Sequence, residues 1–182
     1  ITSDGLKEFI GKKGGVHHRF KRGYKNVINE AVRLNSEGKY CPLAIETSGH
    51  AALKENYFLD DGAYLVTRLL VKMAKLKAEN RKLSDLIADL KLPAESDEIR
   101  MGFTPDCDFK VYGKKVLDDL AAYAEEKGWK IAPDNHEGIR ISFGKGEGDG
   151  WFLLRMSLHD PIMPLNIESN VAGGNKIIAA NL

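Results

Sequence analysis

Between Leu6 and Leu90, apolar residues recur at helical spacing in four stretches. Leu6, Phe9 and Ile10 share one face behind Ser3 or Asp4, either of which can cap a short helix. Gly11 to Gly15 breaks that pattern, and a basic segment follows, His17-His18-Arg19-Phe20-Lys21-Arg22. Val27, Ile28, Ala31 and Val32 predict a second helix that opens after Gly23 and ends in the turn chemistry of Asn35 to Gly38. Leu65, Val66, Leu69, Leu70 and Met73 form the stripe of a long helix behind Asp60-Asp61-Gly62, where the carboxylates suit the positive end of a helix dipole. Leu83, Leu86, Ile87 and Leu90 predict one more helix, stopped by Pro93. The short apolar run from Pro42 to Ile45 reads as a buried strand. Helices alternating with such strands predict an α/β domain with a mixed or parallel sheet.

The pattern changes after Pro93. Ile99, Met101 and Phe103 alternate as a half-buried strand does. Val116, Leu117, Leu120, Ala121 and Ala124 then share a helix face, with Gly128 where a C-terminal cap belongs. Residues 129–132, 139–143, 151–157 and 162–169 read as four further strands. Many neighbouring strands with few helices predict an α+β domain with a mainly antiparallel sheet. The expected division is residues 1–92 and 98–182, with Pro93 to Asp97 as linker.

Composition narrows the functional classes. The chain has 182 residues, 43% of them hydrophobic, enough for one large or two small domains. Its 27 basic and 26 acidic residues leave a net charge of +1, which argues against a dedicated nucleic-acid protein. No apolar run is long enough to span a membrane, and Thr2-Ser3-Asp4 does not look like a secretory leader. Cys41 and Cys107 lie far apart without metal-ligand spacing, so reduced thiols and a cytoplasmic location are expected. The absence of an initiator Met suggests a fragment or a processed chain.

Three segments carry candidate chemistry. Glu46-Thr47-Ser48-Gly49-His50 brings polar side chains into a Gly-containing turn at a strand end, where open α/β sheets bind ligands. A carboxylate there can accept from adjacent sugar hydroxyls, although on pattern alone a polar surface loop is the plainer reading. Lys21-Arg22-Gly23-Tyr24-Lys25 precedes a helix, so Gly23 can let backbone amides approach an anion, with Arg22 as a forked donor and Lys25 as a point charge. A solvated basic face is the alternative, and Phe20 and Tyr24 among basic residues also raise RNA binding. His17 and His18 would point opposite ways on a strand and carry no role. In the third segment, Trp151 to Pro161, Arg155 and Ser157 share a strand face and together suit a phosphate. The Gly-rich run from Gly144 to Gly150 lacks a nucleotide-loop ending and reads as a flexible hairpin tip, with Glu147 and Asp149 solvated.

Glu-x-Ser-Gly-His, followed by Lys54-Glu55 and then Asp60-Asp61-Gly62 before a long helix, resembles the third domain of the α-D-phosphohexomutases, the phosphomannomutase/phosphoglucomutase family. The resemblance implies that Glu46 and Ser48 hold sugar hydroxyls, with His50 beside them in a proton-transfer role. It also places Arg22, Gly23 and Lys25 near the phosphosugar. The Trp151 to Pro161 segment resembles the fourth-domain loop Arg-x-Ser-Gly/Asn-Thr-Glu-Pro, which implies phosphate binding by Arg155 and Ser157. Pro161 also matches; Asp160 stands for Glu, and Leu158 and His159 depart, His159 supplying a donor of its own.

The family's phosphoserine and its Asp-Gly-Asp-x-Asp-Arg magnesium loop have no counterpart in this sequence. The resemblance therefore covers a C-terminal half, domains three and four, with the first strand of the third domain missing. Mg²⁺ is implied for the full-length enzyme and none is expected on this chain. The implied partners are mannose or glucose 1- and 6-phosphates, with neither nucleic acid nor membrane, and an open sheet edge would invite self-association. The implied reaction is an isomerisation by intramolecular phosphotransfer in carbohydrate metabolism, through a bisphosphate intermediate. This chain alone is expected to be inactive. The competing reading is a non-enzymatic phosphosugar- or RNA-binding module.

Overall fold

Asp4–Lys12 forms α1 and Tyr24–Ser36 forms α2, on the periodicities seen in the sequence. The computed structural model describes residues 1–182 except Pro105, Cys107, Leu158 and His159. The chain divides into two compact units, Asp4–Lys91 with Thr2, and Leu92–Leu182 with Ile1 and Ser3.

In the first unit, β1 (Leu43–Ile45) and β2 (Ala51–Leu53) pair antiparallel, with Ala44 opposite Ala52. The short loop between them excludes a parallel arrangement, since a parallel crossover needs a dozen or more residues. Ala31 of α2 packs on Ala44 and Ala52, with Val27, Ile28, Cys41 and Phe58 around them. These small side chains let α2 lie close over the hairpin. Only Ala44 of β1 is buried; Leu43 and Ile45 are exposed, unlike the fully buried strand expected.

A 3₁₀ turn, Lys54–Asn56, leads from β2 toward α3 (Gly62–Ala78). Asp61 caps α3, its side chain accepting from the Tyr64 amide at 2.9 Å. The stripe expected in the core is largely on the surface. Val66, Leu69, Leu70 and Met73 are each about half exposed, and Leu76 is the buried residue of this helix. A two-stranded sheet offers too little area to cover a helix of this length. The next expected helix shortens to a 3₁₀ turn, Leu83–Ile87.

Glu30 is a buried charge on α2. The Arg33 guanidinium grips both of its oxygens at 2.8 Å, and His18 Nε2 lies 2.9 Å from Oε1. The Arg33 hydrogen bonds outweigh burial, which acts in the opposite sense, and with His18 they hold the Glu30 carboxyl at about 2.

The second unit is built on a five-stranded sheet, β3 (Glu95–Gly102), β4 (Lys130–Ile131), β5 (Gly138–Phe143), β6 (Gly150–Arg155) and β7 (Ile162–Ser169). The order is β3-β7-β6-β5-β4, with every neighbouring pair antiparallel. The helix α4 (Phe109–Glu126) starts at Asp108, whose side chain accepts from the amides of Lys110 and Val111. Ala124 of α4 is fully buried against Ile141, Phe143, Phe152, Leu154, Leu165 and Ile167, and Val116, Leu117 and Leu120 pack on the same core. The opposite face of β6 is buried too: Trp151 carries the Arg140 guanidinium 3.5 Å from its ring centre.

Two assignments move. β3 begins at Glu95, inside the segment expected as linker, because Ala94 and Glu95 already pair with Ser169 of β7. The polar Glu-Ser-Asp run that resembled a linker is an edge strand. The Gly-rich tip between β5 and β6 is also less free than expected, since Gly148 is buried. Ser169 Oγ donates to the Gly148 carbonyl at 2.5 Å and accepts from the Val171 amide at 3.0 Å. The short α5 (Gly174–Ala179), which the sequence pattern did not reveal, seats Gly174 against these two residues.

Two stability tests follow from this packing. A Cβ at residue 174 would overlap Ser169 Oγ and lie 2.5 Å from the Gly148 carbonyl oxygen. Gly174→Ala should therefore cost roughly 1–3 kcal/mol in urea unfolding, as overpacking does. For Glu30, the depressed pKa means its stabilisation is complete above the ordinary value of 4.5 and is lost as pH falls through about 2. Glu30→Gln should lower the melting temperature by several degrees at pH 7. In circular-dichroism melts the gap to wild type should close between pH 4.5 and 2.

Candidate functional site

Gly23 precedes α2 with φ of 103°, a conformation that side chains resist. This backbone turns the Gly23 amide toward the β1–β2 loop, where it donates to Glu46 Oε1 at 2.5 Å. The amide expected to meet an anion is thus directed at a carboxylate of the protein. The same turn is held by the Asn26 side chain, which donates to the Arg22 carbonyl at 2.5 Å. Arg22 and Lys25 are exposed on either side of Gly23 and Tyr24, and Lys25 Nζ lies 5.8 Å from the Tyr24 ring centre.

The Glu46 to His50 loop closes on itself. The Glu46 amide donates to the His50 carbonyl at 2.9 Å, and the Gly49 amide to the Glu46 carbonyl at 3.0 Å. The Ser48 hydroxyl donates to Glu46 Oε2 at 3.3 Å. Among the described residues each Glu46 oxygen therefore has one protein donor. A carboxylate offers about four lone-pair sites, so capacity remains for hydroxyl donors from a ligand. The loop thus gathers a half-buried carboxylate, an exposed hydroxyl and an exposed imidazole in five residues.

His50 Nδ1 lies 2.7 Å from Asp60 Oδ2, and the His50 ring stacks on Tyr24 with centroids 5.2 Å apart and planes 27° apart. Neither contact was evident from the sequence, where Asp60 and Asp61 together read as a helix cap. One cap needs one carboxylate, and Asp61 provides it. The pairing of Ala52 with Asp60 brings the surplus Asp back beside β2. A doubled Asp before a helix, with only one place for a cap, was the available signal.

In the second unit Arg155 ends β6 opposite Gly138 of β5. Its side chain is only 10% exposed, and Nη2 lies 3.7 Å from Glu98 Oε2. Hydrogen bonds from Asn166 and Arg100, with the nearby Arg155 charge, hold the Glu98 carboxyl below its ordinary range. Ser157 lies two residues past the strand; its Oγ accepts from the Asp160 amide at 3.2 Å, and its own amide donates to Ile162 at 3.0 Å. His159, the third phosphate candidate, lies outside the described residues.

Among the described residues no group of three or more His, Cys, Asp and Glu side chains is arranged to hold a metal ion. Nor is any described helix long and apolar enough to cross a membrane.

A family model described as phosphoglucomutase/phosphomannomutase, alpha/beta/alpha domain III, matches residues 1–92. A phosphoglucomutase of Neisseria meningitidis serogroup A / serotype 4A (strain DSM 15465 / Z2491) is 31% identical over 166 residues, covering 91% of this chain and 32% of that protein. The crystal structure of a phosphoglucomutase/phosphomannomutase family protein from Burkholderia thailandensis superposes with a TM-score of 0.71 at 26% identity, covering 98% of this chain and 34% of that one. The chain thus spans about a third of the length of both relatives. From the match over its first half and the likeness that continues through both units, this chain belongs to the phosphoglucomutase/phosphomannomutase family.

Proposed function

We propose that this chain is the substrate-positioning part of a phosphohexomutase that interconverts hexose 1-phosphates and hexose 6-phosphates. The observation that carries this reading is the convergence of Glu46, Ser48 and His50 in one closed loop, braced by the Gly23 amide. Glu46 and Ser48 accept from and donate to sugar hydroxyls. Arg22 and Lys25 add positive charge beside them, and Arg155 with Ser157 contacts the phosphate that does not react.

In the whole enzyme a phosphoserine donates its phosphoryl group to a sugar hydroxyl, and the bisphosphate reorients and returns its other phosphoryl group. Such transfer gains its rate from positioning and charge stabilisation, which are the contributions this chain makes. Magnesium supplies charge neutralisation at the transferring phosphoryl group when bound elsewhere in that enzyme. The chain by itself binds hexose phosphate without converting it.

Isothermal titration calorimetry with glucose 1-phosphate and mannose 1-phosphate tests the reading directly. Binding should be measurable, and Glu46→Ala and Arg155→Ala should each weaken it by about 10- to 100-fold, the loss of a charge-assisted hydrogen bond. Absence of heat with both sugars would sink the proposal. A coupled assay on the same preparation should record no turnover; conversion that tracks the purified chain would refute the division of labour.

A further inference from the structure

We infer that Asp60 is a positioning residue for His50, holding the imidazole with its proton on Nδ1 so that Nε2 is presented to a sugar hydroxyl. The inference rests on the phosphohexomutase reading for its substrate and on the geometry for the rest. A carboxylate oxygen accepts, so the 2.7 Å contact with Asp60 Oδ2 places the proton on His50 Nδ1 and leaves the lone pair on Nε2. Among the described residues Nε2 has no hydrogen-bond partner, and half of the side chain is exposed, against 26% for Asp60. The orienting carboxylate is therefore the more enclosed group and the imidazole the more accessible one.

Three features keep this pair in place. The backbone bridge from Ala52 to Asp60 fixes the carboxylate relative to β2, the strand that begins just after His50. Asp61 satisfies the start of α3, so the Asp60 side chain is not needed as a cap. Tyr24 stacks on the imidazole and restricts rotation of its plane. Ser48 and Glu46, the groups assigned to sugar hydroxyls, precede His50 by two and four residues in the same closed loop.

The chemistry is a proton transfer within the phosphoryl-transfer step. As a sugar hydroxyl oxygen forms its bond to phosphorus, the bond from phosphorus to the phosphoserine oxygen breaks and that electron pair stays on the serine oxygen. The hydroxyl proton passes to Nε2. The imidazolium so formed is stabilised by the Asp60 carboxylate on its other side, the arrangement in which an orienting acid supports a His base.

Long-range ¹⁵N–¹H spectra of the histidine rings, recorded on the whole chain at a pH where the imidazoles are neutral, read the tautomer without any need for turnover. Wild type should give a protonated Nδ1 and an unprotonated Nε2 for His50. Asp60→Ala should shift the population toward the Nε2–H form, and Asp60→Asn should shift it the same way, because its amide removes the charge and can turn an NH₂ donor toward Nδ1. Unchanged backbone amide spectra and melting temperature exclude unfolding as the cause. An Nε2–H ring in wild type, or an unchanged ring in Asp60→Ala, overturns the positioning role. Glucose 1-phosphate should then move the His50 Nε2 resonance in wild type at the concentration where calorimetry saturates. Binding heat without that movement overturns the presentation of Nε2 to substrate but not the hexose-phosphate reading. No heat at all overturns that reading, while the tautomer result still decides whether Asp60 sets the ring.

Discussion

The hydrogen bond from the Gly23 amide to Glu46 Oε1 joins two segments that are otherwise only neighbours in space. One end is the first turn of α2, whose amides carry the positive end of the helix dipole; the other is a carboxylate. Charge and dipole therefore act in the same direction as the hydrogen bond. Because Gly23 adopts a left-handed backbone there, the interaction needs glycine as well as glutamate. Once it forms, Tyr24 is delivered beside His50, and Ser48 has a fixed carboxylate to lean on. The loop is thus set by a bond between backbone and side chain, which fixes the arrangement of its polar groups.

The second unit treats charge differently. Arg155 is largely buried and faces Glu98, which is itself tied to Asn166 and Arg100. A guanidinium withdrawn from water in this way gains less from a further anion than an exposed one does, because a partner is already near. Under the proposed function, phosphate contact at Arg155 would therefore be an exchange of one carboxylate neighbour for, or its sharing with, an incoming oxyanion. In the proposed reading the first unit would meet neutral hydroxyls with a carboxylate that keeps spare acceptor capacity, which involves no such competition. The nearly balanced total charge of the chain fits this economy of paired groups.

Much of the fold was legible because periodicity reports burial. The strands around Ile141, Phe152 and Ile167 and the face of α4 ending at Ala124 are core residues whose spacing the sequence displays openly. The α3 stripe had the same spacing yet is half exposed, because periodicity marks an apolar face without saying what covers it. β3 was obscured by its own chemistry: Glu95, Ser96 and Asp97 look like a linker and are a charged edge. At the candidate site, Glu46, Ser48 and His50 were legible as a motif, and the loop holds them together. Asp60 and Tyr24 were not, since each meets His50 only through the chain's return beside β2 and the start of α2. Contacts made by tertiary return leave no periodic trace.

The pairing of β3 with β7 has a consequence for how the chain is made. Residue 95 pairs with residue 169, and α4 and three strands lie between them. The β5–β6 hairpin has a short tip and forms on local contacts, whereas β3 has no partner until β7 has been synthesised. On a growing chain β3 is therefore the strand that waits longest with open backbone groups. Its Glu95, Asp97, Glu98 and Arg100 make it a poor template for other nascent chains, so charge that plays no part in the hydrophobic core protects the sheet during its assembly.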